Sequence, residues 1–151
     1  MLKLSRKTLL ALEAVIDIAF NGRPEPVQAK AITARQGVPQ RYLEQVMQQL
    51  VRAGVLKGVR GPRGGYRLAK ERRRITVGEV VRVAESLEER DESDDAEPRS
   101  ELGARIVEPL IQSLQQEVMA RLDAISIEDL CARARDAGVD CGGGAAADFN
   151  I

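Results

Sequence analysis

The stretch Val55-Leu56-Lys57-Gly58-Val59-Arg60-Gly61-Pro62-Arg63-Gly64-Gly65-Tyr66-Arg67-Leu68-Ala69 decides how the chain is read. Residues 55–59 and 66–69 are short β-prone runs. The six residues between them hold three glycines and one proline. That pattern predicts a β-hairpin with an exposed tip, and two arginines, Arg60 and Arg63, stand on it. Just upstream, Gln40 to Ala53 carries Leu43, Val46, Met47 and Leu50 at helical spacing, and Gly54 suits the position after a helix C-terminus. Before that, a short helix over about Gln28 to Gln36, buried through Ala31, Ile32 and Ala34, ends at Gly37. Val38-Pro39 turns the chain between the two. Two short helices joined by a tight glycine-containing turn make a helix-turn-helix, here followed at once by the hairpin.

Outward from this centre, Leu9, Leu12, Ile16 and Ala19, with Val15 and Phe20, define the inner face of a first helix from Ser5 to Asn21-Gly22. Downstream, Thr76-Val77-Gly78-Glu79 reads as a capping box opening a helix with Val77, Val80, Val81, Val83 and Ala84 inward. Residues 87–98 carry seven acids and little to bury, which predicts a loop. A long helix is expected from Glu108-Pro109, with Val107, Ile111, Leu114, Val118, Leu122 and Ile125 in one stripe. Ser126-Ile127-Glu128-Asp129 is an approximate capping box for a last helix through Ala137, and the glycine- and alanine-rich tail is expected to be disordered. The expected organisation is therefore a winged helix-turn-helix domain over 1–86, an acidic flexible loop over 87–107, a dimerisation helix with a terminal helix over 108–137, and a tail over 138–151. The fold class is mainly α with a small β-hairpin wing.

The chain of 151 residues is formally neutral, yet residues 1–74 hold 16 Lys/Arg against 5 Asp/Glu, and residues 75–151 hold 7 against 18. A head of net +11 is an electrostatic footprint for a polyanion. There is no His, which removes the commonest general base and metal ligand. Two Cys cannot build a four-Cys zinc site. Neither a Walker-type loop nor a dinucleotide fingerprint is present, so no enzyme is expected. Met1 to Lys7 has no signal-peptide character and no apolar run approaches membrane length, so a cytoplasmic, reduced protein with no membrane contact is expected.

A major groove about 12 Å wide admits one helix, led by its N-terminal residues. Here those are Gln40, Arg41, Tyr42, Glu44 and Gln45. Arg reads guanine with two donors, Gln pairs with adenine, and Glu accepts from the cytosine amino group. The arginine-bearing hairpin fits a wing that reaches phosphates or the minor groove. The apolar stripe Ile111, Leu114, Val118, Leu122 and Ile125 is most simply buried against a second copy, and a homodimer spaces two recognition helices along a pseudo-palindrome of double-stranded DNA. A module whose winged helix binds protein is the rival.

Tyr42-Leu43-Glu44-Gln45, then Val59 to Leu68, Ile75-Thr76-Val77-Gly78-Glu79-Val80 and Ile125 to Leu130 together resemble the Rrf2 family of bacterial transcription regulators, in register from Leu4 to about Leu130. The resemblance implies a homodimeric winged-helix protein on operator DNA, most often a repressor. By position it assigns DNA contacts to Arg41, Tyr42, Glu44 and Gln45, and to Arg60, Gly61, Pro62, Arg63, Gly64 and Gly65. Many members hold an iron–sulfur cluster through three cysteines between the fourth helix and the dimerisation helix. This chain has no Cys from 87 to 108. No family-type cluster, other cofactor or metal is therefore expected, and the controlling signal is a regulatory protein partner or a small ligand. The alternative is a cluster sensor with unusual ligands from Asp, Glu or a partner chain's Cys, or a thiol-redox sensor through Cys131 or Cys141; Asp94, Asp95 and Glu97 could ligate a hard cation, against which stands a simply solvated loop.

Overall fold

The structure, a computed structural model, describes residues 4–22, 25–92 and 100–139. The first helix, α1 (Arg6–Asn21), starts where the Ser5 hydroxyl accepts the Thr8 amide at 3.1 Å. Its buried apolar face is Ala11, Ala14, Val15 and Ile18, which of the expected residues includes Val15 but not Leu9, Leu12, Ile16, Ala19 or Phe20. Leu9 points to solvent, while Leu12, Ile16 and Ala19 pack at the margin of the core. The small alanines let neighbouring helices approach α1 closely, and the larger side chains then fit only at the rim.

The next pair, α2 (Ala29–Gln36) and α3 (Gln40–Arg52), meets at Gly37, whose φ of 69° is a left-handed turn. Leu43, Val46, Met47 and Leu50 are fully buried, as their spacing predicts. On α2 only Ile32 is fully covered; Ala31 is half-buried and Ala34 is exposed. Strands β1 (Leu56–Val59) and β2 (Gly65–Leu68) pair antiparallel with Leu56 opposite Leu68 and Val59 opposite Gly65. A 3₁₀ turn, Arg72–Arg74, leads into α4 (Val77–Glu92). Thr76 accepts the Glu79 amide at 3.1 Å, while the Glu79 carboxylate turns to Lys70 at 3.0 Å.

The acidic stretch departs from expectation at both ends. Helix α4 continues through Glu92, so residues 87–92 are helical, and residues 101–107 are helical too. Acids are tolerable helix formers, so their charge alone does not end α4 before Glu92. Asp94, Asp95 and Glu97 lie outside the described residues, as do Cys141 and the rest of residues 140–151 of the expected tail. A π-helical turn, Gly103–Val107, runs straight into α5 (Glu108–Asp123). Pro109 explains it. Proline brings no N–H and crowds the carbonyl four residues earlier, and a wider turn relieves that clash. The Glu108 amide donates five residues back to Gly103.

Helix α6 (Ile127–Asp136) begins with a complete capping box: the Ser126 hydroxyl accepts the Asp129 amide at 3.0 Å, and Asp129 accepts the Ser126 amide at 2.9 Å. Aspartate is long enough to close it. Those bonds hold the Asp129 carboxyl below its usual range. Two further backbone bonds, Val77 to Ile125 and Ile127 to Ile75, both 2.8 Å, join the chain's late residues to its middle. Ile127 and Cys131 of α6 are fully buried in the same core as α1 and α3. Arg82 on α4 grips Asp123 at the end of α5 with two bonds of 2.7 and 2.6 Å, which lowers the Asp123 pKa. Among the described residues no helix is long and apolar enough to cross a membrane.

Candidate nucleic-acid interface

Asp17, fully buried on α1, accepts from Arg35 at 2.9 and 2.7 Å, from Gln36 at 2.9 Å and from Asn21 at 3.3 Å. This network fixes α2 on α1 and so sets the angle at which the helix-turn-helix leaves the core. The paired Arg35 has its pKa raised, chiefly by the hydrogen bond to Asp17. The sequence did signal it: an acid between Ile16 and Ile18, one turn beyond Ala14, falls on an apolar face and needs a partner there.

The buried stripe of α3 leaves Gln40, Arg41, Glu44 and Gln45 exposed on its first two turns. Gln40 donates to Glu44 at 3.2 Å, so the two side chains are coupled on the free surface. Tyr42 behaves differently. It is half-buried, and its hydroxyl donates to the Lys7 carbonyl of α1.

The wing is held from below by the two residues that lead into α2. Val27 forms an isolated bridge with Tyr66, exchanging bonds of 2.9 and 2.8 Å. Gln28, at the N-cap of α2, reaches the Pro62 carbonyl at 3.4 Å. A Cβ on Gly65 would sit 2.4 Å from the Val27 carbonyl oxygen, so only glycine lets β2 lie this close. At the tip Gly61 has φ of 112°, and its carbonyl accepts the Gly64 amide at 2.9 Å. Arg60, Gly61, Pro62 and Arg63 are exposed; Gly64 and Gly65 are half-buried against their own backbone. Of the expected wing contacts, the first four are accessible to a partner, and the last two build the turn that presents them. Arg63 also overhangs a recess of about 330 Å³ shared with Arg35 and Glu25, which sets it beside α2.

Electrostatics divides the helices in the same way. The first turns of α1, α2 and α3 contain no acid, and hold Arg6 and Lys7, Lys30, and Arg41 respectively. The first turns of α4, α5 and α6 contain Glu79, Glu108, and Glu128 with Asp129. A cation at the positive end of a helix dipole is unfavourable by a few tenths to about 1 kcal/mol. At each of these three helix starts the natural complement is an anion.

On the long helix the expected stripe separates. Leu122 and Ile125 pack on the chain's own core. Ile111 and Leu114 are half-buried and Val118 is 37% exposed. Leu102, 67% exposed, and Ile106, 63% exposed, extend this apolar face backward through the π turn, together with Val107 and Leu110. The expected stripe omits Leu102 and Ile106, which precede the Glu108-Pro109 start, and Leu110, which lies within the helix but off the chosen spacing.

Cys131 is fully buried on α6, and the residues between α4 and α5 contain no Cys. Thiolates are the usual cluster ligands, so the residues present do not fit a three-cysteine iron–sulfur site.

A family model, Rrf2, described as iron-dependent transcriptional regulator, matches residues 4–133. The chain is 35% identical over 135 residues to the HTH-type transcriptional regulator IscR of Aliivibrio salmonicida, a match that covers 85% of this chain and 77% of that protein. It spans about half the length of several other curated IscR relatives that it matches. Among solved structures, IscR of T. potens has a TM-score of 0.70 at 31% identity, covering 89% of this chain and 90% of that one. CymR, the global cysteine regulator of B. subtilis, has a TM-score of 0.64 at 32% identity, covering 88% and 98%.

Proposed function

The chain belongs to the Rrf2 family of transcriptional regulators, and from that premise we propose that it is a homodimeric repressor that binds a pseudo-palindromic operator. Helix α3 enters the major groove, with Arg41, Glu44, Gln40 and Gln45 facing base edges. The wing lays Arg60 and Arg63 on phosphates or in the adjoining minor groove. The exposed face of Leu102, Ile106, Leu110 and Val118 meets the same face of a second copy. The controlling signal reaches the protein through a partner protein or a small ligand, because its cysteines do not suit a cluster.

The observation that carries this reading is the clamped wing. The Val27–Tyr66 bridge and the Gln28–Pro62 bond fix two exposed arginines against the helix-turn-helix, a rigidity that a mere surface hairpin does not need. Fixed cations lose less freedom on docking than cations on a loose loop.

The test is selection of bound duplexes from a random pool. The account expects an inverted repeat whose half-sites are centred about 10–10.5 base pairs apart or a multiple of that. On the selected site, Arg63→Ala weakens binding to matched and random duplex alike. Arg41→Ala or Glu44→Ala relaxes base preference, by roughly 1–3 kcal/mol per lost contact. Equal effects of Arg41→Ala on selected and random DNA remove Arg41 from the base-reading set.

A further inference from the structure

We infer that Lys7 is a backbone-phosphate contact of the bound duplex and that Tyr42 is the positioning residue that holds it there. The inference rests on the DNA-binding reading above and changes the role of one residue within it.

Tyr42 follows Arg41 directly on α3, but its side chain leaves the free surface. It is half-buried, and its hydroxyl is spent on the Lys7 carbonyl. A tyrosine tied in this way has little left with which to read a base. Its ring is still in use: the Lys7 ammonium stands 6.0 Å from the ring centroid. The electron-rich ring face attracts the cation and confines an otherwise freely rotating side chain. Among the described residues Lys7 has no carboxylate partner, and the first turn of α1 around it contains none. Its charge is therefore not neutralised within this part of the molecule.

Geometry then decides what Lys7 meets. A helix lying in the major groove is flanked on both sides by sugar–phosphate backbone. A cation mounted on a neighbouring helix, beside the first turn of α3, stands beside the groove and not within it. It reaches phosphate, and it carries no sequence information of its own. The bond from Tyr42 to α1 makes that placement rigid with respect to the recognition helix, so engagement of Arg41 and of Lys7 is concerted.

The experiment measures affinity of the full chain for its selected duplex and for a random duplex across a range of salt concentrations. Folding of each variant is checked by thermal unfolding. Lys7→Ala is expected to lower the magnitude of the log–log salt slope by about 0.9 per protomer, hence about 1.8 for the dimer, which is about a 60-fold loss at 0.1 M salt, the same on both duplexes. Lys7→Arg restores most of the binding. Tyr42→Leu gives a smaller loss, again equal on both duplexes, and the double variant is no worse than Lys7→Ala, because both changes act through one ammonium group. An unchanged slope for Lys7→Ala overturns the phosphate contact. A shift in base preference for Tyr42→Leu, or losses that add in the double variant, overturns the positioning role. If the unmodified chain itself binds without salt dependence, the DNA-binding reading falls and this inference with it.

Discussion

Asp17→Ala is expected to destabilise the fold by about 3 kcal/mol, the lower end of the range for breaking a buried ion pair. The carboxylate is fully buried and accepts four hydrogen bonds from the side chains of Arg35, Gln36 and Asn21. Alanine removes every one of those acceptors at once. Arg35 keeps 22% of its side-chain surface exposed, so it can turn partly to water, which is why the lower end applies. For a chain of this length that loss corresponds to a fall in unfolding midpoint of roughly 6–12 °C. Combining Asp17→Leu with Arg35→Met is expected to be milder than the sum of the single changes, since a well-packed apolar pair leaves no orphaned charge. Denaturant unfolding of the unmodified chain, Asp17→Ala, Asp17→Leu, Arg35→Met and the double variant checks this. A cost below about 1 kcal/mol for Asp17→Ala would mean that the network does not hold α2 in place.

The second large effect is on assembly. Ile106→Glu together with Leu110→Glu is expected to convert a dimer to monomers. Burying one such side chain contributes about 1.5–3 kcal/mol, so losing two on each protomer weakens association at least 100-fold. Both positions are solvent-facing in a single chain, so the folding of the protomer is expected to survive. Sedimentation equilibrium reads the assembly and circular dichroism the fold. Affinity for an inverted repeat is expected to fall with dimerisation, while affinity for a lone half-site changes little. A variant that remains dimeric would place the interface elsewhere on the molecule.

How much of this was legible in the sequence follows from which features are local. The helix-turn-helix and wing were readable because Leu43, Val46, Met47 and Leu50 repeat at one period, and the glycine–arginine turn has another, within 30 residues. The Ser126–Asp129 capping box and the Thr76 hydroxyl cap were readable for the same reason, since four consecutive residues contain the chemistry, whereas the turn of the Glu79 carboxylate to Lys70 was not. The inner face of α1 was readable only in Val15. Large apolar residues drew attention to Leu9 and Leu12, whereas the core selected Ala11 and Ala14, because what matters there is how close another helix can come. The start of the long helix was missed because proline usually marks a first turn, and here a π turn absorbs it within a continuous helix. The bridge of Val27 to Tyr66 pairs residues nearly 40 positions apart across two turns, and no local pattern announces it. Tyr42 was placed on the reading face by position along α3, but the direction of its side chain depends on α1, which sequence spacing on α3 does not contain.

The candidate site shows the same division. The exposed side chains Arg41, Glu44, Arg60 and Arg63 were assigned from residue type and spacing alone. The parts that aim them, namely Asp17 with Arg35, Val27 with Tyr66, and Tyr42 with Lys7, are tertiary. Each joins two elements that the sequence reading treated separately.

The measurement that bears most directly on the central claim is a salt titration of binding to the selected duplex, with stoichiometry determined in the same samples. Two cationic heads neutralising six to ten phosphates predict a log–log slope of about −5 to −9, with two chains per duplex. A slope near zero, or saturation at one chain per duplex, would contradict the account.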